Sequence, residues 1–174
     1  TYRPAGFPAA PAADWTIPAC VRHSNTRGQE CFIVDRSTES LPLSANTCPS
    51  WVHPNAHGAG YFRFDFPEAD WKNVFAHLAD LDVAEKGAAL ASLHASVNAG
   101  NVKPAMLLQV LPLLDREMDV DLTEQIVRVL DGVSRTFVND ASRPAFRSWV
   151  TARLSSKKKA LGWGENAANE PSET

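Results

Sequence analysis

The chain has 174 residues, 44% of them hydrophobic and 21% charged, which is enough to bury a sizeable core in one globular unit or two small ones and excludes a disordered chain. A formal charge of -3 and a pI near 5.9 exclude a general nucleic-acid binder, whose footprint is a strong excess of Lys and Arg. No apolar run approaches the roughly 20 residues that span a bilayer, and no basic segment followed by an apolar stretch opens the chain, so it reads as soluble, without a membrane segment.

Residues 1–14 hold Pro4, Pro8 and Pro11 among small residues and read as an extended linker or tail. The first residue is Thr1 rather than Met, so the reading expects an upstream segment to have been removed, and localisation is not legible. Residues 15–66 change to short β-prone pieces between polar turns. Ile17–His23, Cys31–Asp35 and Tyr61–Phe66 are the expected strands, with turn chemistry between the first two. In the third, Tyr61, Arg63 and Asp65 face one way and Phe62, Phe64 and Phe66 the other. Three Phe rings on one face demand burial, and the expected architecture is a small antiparallel β-sandwich.

At Pro67 the period changes. Glu68 and Asp70 put negative charge at a helix start, and Trp71, Val74, Phe75 and Leu78 recur at helical spacing. A second helix is expected over Val83–Asn98, with Leu90, Leu93 and Val97 on one face and Ala99-Gly100 ending it. Pro104 opens a third, carrying Leu107, Val110, Leu111 and Leu114, which Pro112 should kink or shorten. In the fourth, Asp121 and Glu124 suggest a capping box, and the stripe is Leu122, Ile126, Val129, Leu130, Val133 and Phe137. Pro144 begins a fifth with Phe146, Trp149, Val150 and Leu154. Five helices with short connections and one-sided stripes stack side by side, giving an α-helical solenoid over residues 67–155. Residues 156–174 decay into a frayed polar tail, and Lys157, Lys158 and Lys159 sit where cations complement a helix dipole.

Candidate chemistry is sparse. His53 and His57 stand four apart, as zinc ligands on a helix would, but Pro54 and Gly58-Ala59-Gly60 argue for a loop in which Asn55 takes a left-handed turn. His77 and His94 are lone helical histidines. Asp80-Leu81-Asp82 and Asp119-Val120-Asp121 fall at helix boundaries, where capping explains paired acids better than acid–base work, and neither matches an EF-hand loop. Cys20, Cys31 and Cys48 have no C-x-x-C spacing and read as reduced strand residues, although one pair could be bridged in an oxidising compartment. Arg63 belongs to the solvated face or to an interdomain contact. Trp15, Trp51 and Trp71 have no spacing for a sugar platform, and burial explains them. The chain is therefore expected to hold no catalytic residue, no cofactor site and no metal ligand.

One run is specific. Asn55 is followed five residues later by Gly60-Tyr61-Phe62-Arg63, which resembles the Asn…Gly-Tyr-Tyr-Arg signature near the end of the β-sandwich domain in zinc aminopeptidases of the aminopeptidase N family. Trp15-Thr16-Ile17-Pro18 is similar to the start of that sandwich, and Trp71 onward to the helical domain after it. Leu161-Gly162-Trp163 matches a piece lying partway through that domain, so the chain is expected to stop inside it. The resemblance implies a non-catalytic C-terminal fragment of an enzyme that removes N-terminal residues from peptides. Its partners would be the parent's catalytic domain and peptides, and zinc would lie in that missing domain, because no His-Glu-x-x-His occurs in this chain. In such enzymes the sandwich is a spacer and the helical domain walls the peptide chamber. The alternative reading is a stand-alone, non-catalytic peptide- or protein-binding scaffold.

Overall fold

The computed structural model describes residues 15–161 apart from 27, 37 and 39; the expected linker over 1–14 and the stretch 162–174, with Gly162-Trp163, lie outside the described residues. The fold is α+β: a three-stranded antiparallel sheet followed by five α-helices and short 3-10 turns. Strand β1 (Ile17–His23) is central, in the order β2-β1-β3. It pairs with β2 (Glu30–Val34), Ile17 facing Val34 and Val21 facing Glu30, and through Arg22 and His23 alone with β3 (Val52–His53). Alternation along β1 buries Ala19, Val21 and His23.

The expected strand over Tyr61–Phe66 does not form. The segment is extended and keeps its alternation, with Tyr61, Arg63 and Asp65 exposed and the three Phe residues half-buried, but it joins no sheet. A period of two specifies an extended backbone and not a pairing partner. The Phe face packs on helix instead. Phe64 stacks on Trp71 at 5.5 Å, Phe66 meets the same ring edge-on at 5.2 Å, and Phe64 touches His53 edge-on at 5.2 Å. Among the described residues there is one three-stranded sheet, and the turn after β3 packs against β1.

Helices α1 (Glu68–Ala76), α2 (Val83–Asn98) and α3 (Ala105–Val110) follow the apolar spacing. After α3 the chain tightens into a 3-10 turn over Leu111–Leu114, the shortening that Pro112 imposes. Helix α4 (Val120–Phe137) packs against α2, and α5 (Arg143–Leu161) against α4. The core runs continuously from Trp51 through Trp71, Phe75, Leu90, Leu93, Leu107 and Leu114 to Val133. Phe137 departs from its stripe at 42% exposed, and Trp15, expected to be buried, is 65% exposed.

Two helix ends differ from expectation. The cap of α4 is Asp119, whose carboxylate accepts from the Leu122 N–H, so the helix begins before Asp121. Helix α5 continues past Leu154 to Leu161, because Lys157 is buried and its ammonium donates to the carbonyls of Leu114 and Glu117. Lys158 and Lys159 fall in the last turn of α5, where cations complement the dipole as expected. Lys157 turns instead to the Leu114 carbonyl that ends the 3-10 turn and to the Glu117 carbonyl in the loop after it.

Asp65 binds the extended segment to the helices. It accepts from the Ser96 hydroxyl at 2.5 Å, the Asn101 amide at 2.7 Å and the Trp71 indole at 3.4 Å. Burial alone would raise its pKa, but these hydrogen bonds together with the Phe66 N–H hold it below the ordinary value. Trp71 is thus both the fully buried centre of the aromatic cluster and a donor to Asp65. Trp71→Ala is expected to lower the unfolding free energy by about 3–5 kcal/mol, read by urea denaturation, and Trp71→Phe by a smaller amount because the ring contacts remain.

Candidate functional site at the seam between sheet and helices

A connected set of polar side chains lies where β1, β3 and the following turn meet the first turn of α2. Asp82 is the N-cap of α2: its carboxylate accepts from the Glu85 N–H at 2.9 Å, and Glu85 reaches back to the Asp82 N–H at 3.0 Å. This is a reciprocal capping box at the positive end of the helix dipole. Glu85 does more than cap. It is fully buried, and its carboxylate also accepts from the Arg22 guanidinium at 2.5 Å and from the His57 N–H at 3.1 Å. Arg22 donates further to the Asp80 carbonyl at 2.9 Å. One carboxylate therefore ties together β1, the turn after β3 and the start of α2.

His53 comes in from β3. It is fully buried, with Nε2 at 3.1 Å from the Glu85 carbonyl and Nδ1 accepting from the Asn55 N–H at 3.4 Å. A carbonyl can only accept, so Nε2 carries the proton and the ring is neutral. Burial pushes the His53 pKa down, against a smaller upward pull from Glu85.

The turn Ala56–Gly58 closes the seam. His57 and Gly58 have φ of 54° and 63°, so they, and not Asn55 with φ of -129°, take the left-handed backbone. A Cβ on Gly58 would meet the Ala84 carbonyl at 3.0 Å, so the turn lies directly against α2. Asn55 has a different task. Its amide accepts from the Gly60 N–H at 2.7 Å and donates to the Gly60 carbonyl at 2.9 Å. A side chain here imitates one rung of a β-ladder, which requires a donor and an acceptor in a single planar group; Asp could not supply both.

His53 and His57, four apart in sequence, do not converge. His57 is exposed and pairs through Nδ1 with Asp82 at 2.5 Å. Among the described residues, His57, Asp82 and Glu85 offer three ligand-type atoms within 4.8 Å of one another. Glu85 is already matched by a guanidinium and two backbone N–H donors. His77, at the end of α1, lies near Asp80 at 3.4 Å. His94 is half-buried with its pKa lowered by burial, and it packs against Gly132 of α4. Arg63 is exposed.

Cys20 and Cys31, expected to be reduced, form a disulfide across the β1–β2 pair, while Cys48 is free and exposed. Antiparallel register puts the two directly opposite each other, which spacing along the sequence does not reveal. A cleft of about 350 Å³ opens beside the seam, lined in part by Arg22, Ser24, Thr26, Ser50 and Trp51. Two of its hydroxyls are engaged by backbone: Ser24 Oγ accepts from the Ser50 N–H, and Thr26 Oγ1 from the Gly28 N–H. Glu85 and Arg22 escaped the sequence reading. The D-x-x-E spacing of Asp82 and Glu85 could have exposed the first, whereas only the folded structure brings Arg22 to it.

Removing a buried acceptor shared by three donors is expected to be costly. Glu85→Gln should lower stability by roughly 3–5 kcal/mol, and Arg22→Met by less, because Glu85 keeps its backbone donors. Chemical denaturation of the two variants checks the order. The depressed pKa of His53 gives a second expectation. The unfolded chain protonates this histidine near pH 6.5 while the folded chain resists, so its contribution is complete above about 6.5 and is lost as pH falls through the folded value. Melting temperature should drop on acidification below about 6.5, and less steeply in His53→Gln.

Comparison with known proteins follows this geometry. The family model described as ERAP1-like C-terminal domain matches residues 51–174, which includes β3, the Asn55–Gly60 clasp and all five helices, whereas β1 and β2 precede it. No curated protein matches the chain. No helix among the described residues is long and apolar enough to cross a membrane. The chain belongs to the family of ERAP1-like C-terminal domains, and so to an aminopeptidase-related context.

Proposed function

We propose that this chain is a non-catalytic supporting part of a zinc aminopeptidase that removes N-terminal residues from peptides. In this reading the sheet belongs to a β-sandwich spacer, and the helices begin a solenoid that walls the chamber where the peptide is held. The observation that carries the reading is the family match over residues 51–174, with the Asn55…Gly60-Tyr61-Phe62-Arg63 run inside it. Zinc would be held at a His-Glu-x-x-His site elsewhere in the parent protein. The 174 residues contain no such motif, and hydrolysis by a metal-bound water needs an open site with protein ligands and a base. Its partners are the parent's catalytic domain and peptides.

The role at the seam is positional. Glu85, Arg22 and Asp82 set the angle between sheet and helices, and that angle sets where a chamber wall would stand relative to a catalytic domain. The test compares this chain with the product of its complete reading frame, using metal analysis and an aminoacyl chromogenic substrate. The chain alone should bind no stoichiometric zinc and turn over nothing, and the complete product should do both. Tight zinc and turnover in the chain alone would sink the proposal, and a complete frame lacking His-Glu-x-x-His would favour a stand-alone binding scaffold.

A further inference from the structure

We propose that the Cys20–Cys31 disulfide is a redox-operated staple for the seam, whose reduction frees β1 and loosens the hold of Arg22 on the first turn of α2. The argument starts from the sheet. Among the described residues, Ile17–Val21 has only β2 as a lateral neighbour, because β3 pairs with β1 at Arg22 and His23 alone. Strand β2 in turn has no other strand beside it among the described residues. Without a covalent link this stretch is a two-stranded ribbon, which is marginal in water. Cys20 and Arg22 are two apart on β1 and share a face, so the staple holds the same strand that presents the guanidinium to Glu85 and the Asp80 carbonyl. Cys31 is exposed and Cys20 half-buried, so a reductant in solution reaches the bond.

The chemistry balances with an external dithiol. One reductant thiolate attacks Cys31 Sγ, the Cys20–Cys31 bond breaks, and Cys20 leaves as a thiolate that takes up a proton. The reductant's second thiolate then displaces Cys31, which is protonated in turn. Two electrons and two protons pass to the protein, and the reductant ends as its cyclic disulfide.

The test is hydrogen exchange read by mass spectrometry on the 174-residue chain, carried out in a Cys48→Ser background to remove the free exposed thiol, with and without dithiothreitol. Reduction, verified by alkylation, should speed exchange in Ile17–Val34 and by roughly tenfold or more in the first turns of α2, while α4 changes little. Adding Cys20→Ser and Cys31→Ser should reproduce the pattern without reductant. The reductant arm requires no substitution at the disulfide, so it stands whether or not that variant folds. Unchanged exchange in α2 after complete reduction would overturn the proposal, as would an equal rise in α4, which would mark a loss of global stability rather than a loosened seam.

Discussion

The structure turns on one buried carboxylate. Glu85 lies at the third position of α2, where the backbone N–H groups of a first helical turn have no partners inside the helix and the dipole favours negative charge. An ionised carboxylate with no exposure would be too costly by itself, and each of its acceptor sites must be met. They are met from three directions in sequence: Arg22 from β1, His57 from the turn after β3 and Asp82 from the cap. The same requirement that makes Glu85 tolerable forces sheet, turn and helix into one arrangement. His53 adds a fourth tie by bonding the Glu85 carbonyl rather than its side chain.

The far end of the helical layer uses the same device with reversed sign. Here the groups met are the Leu114 carbonyl at the end of the 3-10 turn and the Glu117 carbonyl in the loop after it, and the agents are cations. Buried Lys157 of α5 donates to the carbonyls of Leu114 and Glu117, and burial lowers its pKa despite Asp115 and Glu117 nearby. Lys86 of α2 pairs with Glu117 at 2.8 Å, and Arg153 of α5 pairs with Asp115 at 2.8 Å while lying over the Trp149 ring. The loop between α3 and α4 is therefore tied to α2 and α5 by charge. The apolar stripes alone would fix how the helices stack but not where this loop lies between them.

What the sequence made legible follows from the range of the forces involved. The five helices were readable because apolar spacing, proline and capping acids act within a few residues, and the stripe Leu122, Ile126, Val129, Leu130 and Val133 is buried as its period demands. The Tyr61–Phe66 segment was readable as extended, but its neighbour was not: whether a Phe face meets a second sheet or Trp71 of the next helix is decided by the chain's return path. The disulfide was illegible for a related reason, since the register that sets Cys20 opposite Cys31 depends on the whole hairpin. Arg22 and Glu85 are 63 positions apart, and no local pattern links them. Resemblance marks Asn55 in the sequence, and its physical purpose, closing a rung on Gly60, emerges only in three dimensions.

That purpose explains why such a run can mark a family without marking a catalyst. A Cβ on Gly60 would meet Phe62 Cε1 at 2.2 Å and Asn55 Oδ1 at 3.0 Å, so a larger residue at 60 requires the Phe62 ring to shift, and a one-sided hydrogen-bonding group at 55 loses one of the two bonds. The clasp fixes the course of the segment that carries Phe64 and Phe66 to Trp71 and Asp65 to Ser96 and Asn101. Each residue is constrained by geometry in its neighbours rather than by a reacting atom. At the seam the polar groups that could do chemistry are directed at one another: the guanidinium at a carboxylate and a carbonyl, the neutral imidazole of His53 at a carbonyl, the amide of Asn55 at a peptide. Groups held in that way fix the angle at which the sheet meets the first turn of α2.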